Sequence, residues 1–474
     1  MRAGPGVGIA VRYGRCLLTL AVARLSSSYK LQAPSMGTNI RIEASELTRQ
    51  RNCAEFRARS DAESDSNLRK RQLAKVVAFT EPRMRGDRVF ISNLKLKNWR
   101  NFKHVDVPLR ERVFVIGPNA SGKSNLLDVF RFLRDVGKPK GGGLQRAVEA
   151  RGGLTKLRSL LARRDPEVMV EVELSERIDQ PPKWRYRLAF KSEGKGAQRV
   201  VVSQEVVEDL TGRGQVLLSR PDKHDREDRE RLTETSLEQV NANKDFRDIA
   251  QFFSSLTYLH LVPQLLKHVE LGAAGQLEGD PFGQSFLERI AKTTERTRSA
   301  RLKKIESALR ACVPNMRNLK FDRDKVTGSP HLEALYEHWR PDAGWQREDQ
   351  FSDGTLRLLG IMWSLLEGDS LLLLEEPELS LNEAIVREIP ALLWEIQRKA
   401  KYRRQVFITT HSKALLEDKG INPREVLRLE PSSDGTKVSP PSAEDIQLVA
   451  SGYTVAETIA SKTPPIRLEQ LSLL

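Results

Sequence analysis

A chain of 474 residues, 39% hydrophobic and 30% charged, has apolar material for two or three domains and an ordinary soluble charge balance. The longest apolar run in its body, Leu371 to Leu374, falls far short of the roughly 20 residues that a bilayer requires. Cys16, Cys53 and Cys312 are too few and too scattered for a disulfide framework or a zinc site. No membrane association and a reducing, cytoplasmic setting are expected.

The net charge of +15 is unevenly divided: residues 1–83 hold 15 Lys and Arg against 7 Asp and Glu, a net +8 that leaves +7 for the rest. Most of that remainder reads as a solvated charged surface. The first 42 residues contain no acidic residue, and arginines flank a short apolar stretch, a poor version of a presequence. Residues 1–83 are expected to be a disordered or non-native extension, with translation starting at Met84 as the alternative.

From Arg88 the pattern sharpens. Val89, Ile91, Leu94 and Leu96, then Val105, Val107 and Leu109, recur mostly at two-residue spacing around Asn98-Trp99-Arg100-Asn101, which predicts a β-hairpin. The strand Val113 to Ile116 leads into Gly117, Pro118, Asn119, Ala120, Ser121, Gly122, Lys123, Ser124 and Asn125, and a helix from Ser124 to about Val136 follows. Strand, glycine-rich loop and helix in that order bind phosphate. The glycines let backbone N–H groups turn inward, the helix start adds its positive end, Lys123 reaches the β and γ oxygens, and Ser124 ligates Mg²⁺.

Residues 161–340 offer short alternating segments at 168–174, 184–190 and 199–207, then a charged stretch at 222–234 that reads as a solvated loop or short helix. An inserted α+β lobe is expected there, without a long coiled coil. Residues 285–312 predict one extended helix crowded with Arg296, Arg298, Arg301, Lys303 and Lys304, either facing DNA or solvated. Next, the run Leu371 to Leu374 ends at Glu375-Glu376-Pro377, a buried strand delivering adjacent carboxylates. Gln405 to Thr410 is another strand, and it ends at His411-Ser412.

Taken together, GPNASGKSN, FSDGTLR at 351–357, LLLLEEPELSLN at 371–382 and ITTHS at 408–412 resemble the ABC-type ATPase heads of the RecF, SMC and OLD-like group, within the AAA-type ATP-binding set. The resemblance covers about 84–160 and 340–435. It implies an α/β P-loop fold with an N-terminal hairpin, its core split between residues 84–160 and 341–435, and a tail at 436–474. It implies that ATP and Mg²⁺ are bound, and that Ser352 and Gly354 contact the γ-phosphate held by the other protomer. Glu375 would then join Ser124 in the Mg²⁺ shell, Glu376 would be the general base, Ser380 to Asn382 the loop crossing the dimer interface, and His411 the switch histidine. Asp353, Glu375 and Asn382 depart from the commonest pattern of such heads. Gln145 lies where a glutamine-loop residue would stand, with Arg151-Gly152-Gly153 as the alternative turn.

OLD nucleases carry a metal-binding Toprim nuclease domain after the histidine loop, whereas the 63 residues following His411 hold no acidic cluster. Any nuclease would be a separate chain. The expectation is therefore a stand-alone ATPase whose two protomers sandwich two ATP molecules and act as a clamp in DNA repair or recombination, with duplex DNA as partner. The alternatives are an ATPase that regulates a separate effector in a phage-defence or toxin-type system, and a transporter's nucleotide-binding subunit.

Overall fold

A computed structural model describes residues 89–162, 165–194, 197–267, 280–337, 340, 344–400 and 403–462. The expectations for residues 1–83 lie outside the described residues. The predicted hairpin is β1 (Phe90–Trp99) and β2 (Phe102–Pro108), with Leu94 opposite Val107 and Leu96 opposite Val105. Its turn takes positive φ at Asn98 and Arg100, and the Arg100 guanidinium pairs with Asp128 at 2.7 Å.

After β3 (Arg112–Ile116) comes helix α1 (Lys123–Gly137), then the short α2 (Leu144–Glu149). The alternating segments fold as β4 (Val168–Ser175), β5 (Trp184–Gly194), β6 (Ala197–Asp209) and β7 (Gln215–Arg220). They do not form a layer of their own: β4 pairs with β1, and the sheet runs β2-β1-β4-β5-β6-β7, antiparallel throughout. Residues 161–340 are thus distributed over three sheets. The hairpin has a free edge, and a strand buried on one face gains more by pairing with that edge than by standing alone. The charged stretch 222–234 is less solvated than expected, because Asp225 is buried and pairs with Arg220 at 2.8 Å.

Helix α3 (Arg247–Ser254) precedes β8 (Thr257–Leu259), and α4 (Phe286–Lys292) and α5 (Glu295–Leu309) follow. The single helix expected over 285–312 is therefore two helices, broken at Thr293-Thr294, where both residues take extended ψ. Strands β9 (Met316–Arg323), β10 (Pro330–Tyr336) and β11 (Trp345–Arg347) form a small antiparallel sheet. Then come α6 (Asp353–Glu367), β12 (Leu372–Glu375), α7 (Glu383–Lys399), β13 (Val406–Thr410), β14 (Val426–Ser432) and β15 (Gly435–Ser439).

The central sheet has the order β15-β14-β3-β13-β12-β8, parallel except for β15. Its inner strands β3, β13 and β12 are nearly continuous buried runs because both faces are covered. Val113, Val115, Leu373 and Phe407 join one core with α1 and the antiparallel sheet. Phe114, Ile116, Leu372, Leu374 and Ile408 join the other with α4 to α7. Among the described residues no helix is long and apolar enough to cross a membrane.

Candidate functional site

In an open α/β sheet, ligands sit beyond the carboxyl ends of the strands. Here β13 lies between β3 and β12, so the phosphate loop, His411 and Glu375-Glu376 emerge side by side from three neighbouring strand ends. Residues 371 to 412 could not reveal that order by their pattern alone.

The loop 117–122 is held open by its surroundings. Ala120 and Gly122 take φ of 61° and 100°, and a Cβ on Gly122 would come within 2.1 Å of Asn101 Nδ2. Asn101 Nδ2 donates to the Ser121 carbonyl at 2.9 Å and to Thr436 Oγ1 at 2.8 Å, while Asn125 Nδ2 donates to Asn101 Oδ1 at 2.8 Å. Thr436 Oγ1 donates to the same Ser121 carbonyl at 3.0 Å. Asn101 and Thr436 therefore brace the loop, and neither stood out in the sequence except as turn and tail residues.

Lys123 Nζ is folded over the loop, donating to the carbonyls of Gly117 at 3.1 Å and Pro118 at 3.2 Å. Burial pushes its pKa down, and the carboxylates of Glu376, Glu378 and Glu375 act in the opposite direction. Ser121 Oγ is buried and makes no hydrogen bond among the described residues. A buried ammonium resting on neutral carbonyls, an orphan hydroxyl and first-turn N–H groups without helical acceptors together fit a phosphate chain. Ser124 Oγ donates to Glu375 Oε1, so a hydroxyl and a carboxylate converge where Mg²⁺ would be held. Such a partial protein shell suits Mg²⁺, which keeps waters and substrate oxygens in its coordination sphere.

The second Glu375 oxygen accepts from the hydroxyl of Tyr258, the middle residue of β8. Burial and the neighbouring carboxylate push the Tyr258 pKa up, so it stays a donor. Nothing in its setting, Leu256-Thr257-Tyr258-Leu259, marks it in the sequence. Glu376 takes φ of +44°, and its N–H donates to the Thr409 carbonyl at 3.1 Å, which turns its side chain off the strand line. Its Oε1 lies 3.4 Å from His411 Nδ1. Glu378, a third acidic residue that the motif reading passed over, is buried and accepts from Thr410 Oγ1 at 2.6 Å and from the His411 N–H at 3.2 Å. The carboxylate pattern Glu-Glu-Pro-Glu carried that signal.

Ser352 caps α6, accepting from the Thr355 N–H at 3.1 Å, and a Cβ on Gly354 would sit 3.0 Å from Leu381 Cδ2. Among the described residues no hydrogen bond joins Ser352 or Gly354 to residues 117–125 of the same chain. Asp353 is held by Lys267 at 2.8 Å and by Gln264 at 2.7 Å. Asn382 caps α7.

One expectation is corrected. Gln145 does not face the loop: it donates to the carbonyls of Val200 and Thr233 at 2.7 and 2.6 Å and accepts from the Val200 N–H, pinning α2 to β6. Arg151, its alternative, holds Asp128 and Asp135 at 3.0 Å each. Of the five α5 cations, Arg296 and Lys303 are exposed, whereas the other three fold back onto the protein. Arg298 lies 4.0 Å over the Phe321 ring, Arg301 5.3 Å from the Trp363 ring, and Lys304 donates to the Lys399 carbonyl at 2.7 Å. Their long stems cover apolar surface as α5 buries Leu302, Ile305 and Leu309.

A family profile described as "AAA domain, putative AbiEii toxin, Type IV TA system" matches residues 112–417. The chain is 26% identical over 90 residues to the DNA replication and repair protein RecF of Bacillus mycoides, covering 19% of this chain and 24% of that protein. It is 30% identical over 100 residues to RecF of Roseiflexus castenholzii, covering 19% and 25%. The matched stretch thus spans about a quarter of the length of these relatives. Similar solved structures include an SMC head bound to the C-winged helix domain of ScpA, with 15% identity, TM-score 0.42 and coverage of 75% of this chain and 99% of that one. Another is the Smc head with an extended coiled coil from Pyrococcus furiosus, with 11% identity, TM-score 0.43 and coverage of 77% and 99%.

Proposed function

The chain belongs to that AAA-domain family, and on this premise we propose that it hydrolyses ATP as an ABC-type, RecF-like ATPase whose two copies close head to tail around two nucleotides. One observation carries the reading: Lys123, Ser124, Glu375, Glu376 and His411 gather at one set of strand ends, while among the described residues Ser352 and Gly354 make no hydrogen bond to residues 117–125. A phosphate loop without a signature contact from its own chain calls for a second chain.

In this reading the N–H groups of residues 119–124 and the Lys123 ammonium hold the phosphates, and the gathering of donors costs no rearrangement at the moment of reaction. Ser124 and Glu375 would hold Mg²⁺, which would supply charge neutralisation for the phosphate chain. Glu376 accepts a proton from the attacking water as the new oxygen–phosphorus bond forms and the bond to the bridging oxygen of ADP breaks. His411, 3.4 Å from Glu376 and braced by Glu378, orients that carboxylate and can donate to the γ-phosphate. Ser352 and Gly354 of the partner subunit would present the start of α6 to the same phosphate.

Glu376→Gln protein is expected to form a stable dimer with saturating ATP, because binding is kept and proton acceptance is lost. A mass of one chain by light scattering under those conditions overturns the clamp. We assign the clamp to DNA repair or recombination on its likeness to RecF, which leaves α5 out of the argument. ATPase activity is then expected to rise with duplex DNA and to lose that rise as salt increases. Turnover indifferent to duplex at both low and high salt sinks the DNA assignment and favours regulation of a separate effector protein.

A further inference from the structure

Asp353 opens α6 between Ser352 and Gly354, the two residues that the clamp turns toward the partner subunit's nucleotide. An acid in the first turn suits a helix, because it faces the positive end of the peptide dipoles, and it needs no cation to be stable there. Both of its oxygens are nevertheless taken by one neighbouring segment. Lys267 Nζ lies 2.8 Å from Oδ1, and Gln264 Nε2 donates to Oδ2 at 2.7 Å. The Lys267 and Asp353 side chains are 19% and 35% exposed, so water screens the pair only in part.

Lys267 stands on a fixed footing. It ends the short helix Pro263–Lys267, whose Leu266, with Leu261 just before the helix, is buried in the core that α6 shares. Gly360 of α6 admits that contact, since a Cβ there would come within 2.8 Å of Leu261 Cδ1. Gly283, with φ of +83°, closes in as tightly, and a Cβ on it would lie 2.9 Å from Leu261 Cδ2 and 3.4 Å from Leu266 Cδ1. Core packing thus delivers the ammonium to Asp353. Arg357 stands four residues beyond Asp353, on the same side of α6. It is buried, its Nε and Nη1 make no hydrogen bond among the described residues, and burial pushes its pKa down against the charges of Glu378 and Asp353. The aspartate is thus drawn to Lys267 and leaves the arginine of its own helix without an ion pair.

We infer that Lys267 is a positioning residue for the partner subunit's nucleotide: it neutralises Asp353, so that α6 can offer its start to the γ-phosphate held by the other copy. A bare carboxylate in the first turn would repel that phosphate and oppose the helix end that receives it. The role rests on the head-to-tail reading above.

The test uses full-length Glu376→Gln protein with saturating Mg·ATP and reads the dimer dissociation constant by light scattering over a range of protein concentration. Adding Lys267→Gln is expected to weaken the dimer about tenfold or more, because Asp353 then meets the phosphate uncompensated. Adding Asp353→Asn as well removes the repelling charge and should restore the dimer to within about threefold. Asp353→Asn without the lysine change should leave the dimer at least as tight as its parent. A fluorescent ATP analogue, bound at protein concentrations too low for dimers, should show equal affinity in all four proteins. A dimer unmoved by Lys267→Gln, a loss that Asp353→Asn does not restore, or a dimer weakened by Asp353→Asn alone overturns the role. A loss of ATP affinity in dilute Lys267→Gln protein also overturns it, since the lysine would then serve its own chain. Glu376→Gln protein that keeps the mass of one chain overturns the clamp and this role with it, whereas a dimer blind to Lys267 overturns the role alone.

Discussion

At the residue scale the site is a set of short links between side chains far apart in the chain. Ser124 and Glu375 are separated by 251 positions, and Tyr258 and Glu375 by 117. The roles of Lys123 and Ser124 are legible because a phosphate loop is one contiguous segment, in which spacing dictates geometry. Tyr258 is not legible, since only the pairing of β8 with β12 brings it to the carboxylate. Tyr258→Phe removes a donor that orients Glu375, the carboxylate proposed to hold Mg²⁺. The expected result is a roughly 10-fold higher Mg²⁺ requirement for hydrolysis, read from turnover against Mg²⁺ concentration, with the fold intact by circular dichroism. An unchanged Mg²⁺ dependence would mean that Ser124 alone positions Glu375.

At the element scale the lesson concerns helices whose surface charge misleads. The cation-rich segment 285–312 has the composition of a nucleic-acid helix, yet α5 folds Arg298, Arg301 and Lys304 back onto rings and a carbonyl. Composition reports charge, whereas the apolar positions Leu302, Ile305 and Leu309 decide which face turns inward. Helix α2 gives the opposite case, with a half-buried acid against its start. Glu238 accepts from the Leu144 N–H at 2.8 Å and the Thr235 N–H at 2.6 Å, and burial raises its pKa to about 7 from 4.5. A carboxyl raised in the folded state holds its proton where the unfolded chain has lost it. Its contribution to stability is therefore full below the unfolded value and is lost as pH rises through about 7. Thermal melts between about pH 5 and about pH 8 should show a fall that Glu238→Gln flattens. An equal fall in both proteins would place the titration elsewhere.

At the scale of the whole molecule, one chain presents two unlike surfaces: the strand ends carrying the loop, and the start of α6 carrying Ser352 and Gly354. A head-to-tail pair makes each nucleotide site from both chains, which predicts complementation. Lys123→Ala and Ser352→Arg proteins should each be inactive. Mixed in equal amounts they should recover roughly a quarter of wild-type turnover, because half of the pairs are mixed and each mixed pair has one intact site. A mixture as inactive as its components would mean that each chain completes its own site.

The sequence by itself determined the phosphate loop, the two carboxylates after the leucine run, the histidine after β13 and the hairpin before them. Each of these is written in neighbouring residues, where turn chemistry and the two-residue and 3.6-residue periods act locally. Tertiary structure alone decided that β13 lies between β3 and β12, that residues 168–220 extend the hairpin's sheet, and that Asn101 and Thr436 brace the loop. It alone turned Arg298, Arg301 and Lys304 of α5 back onto the protein and set Tyr258 against Glu375. Strand order and helix rotation are set by how whole apolar faces fit together, and that fit depends on residues hundreds of positions apart.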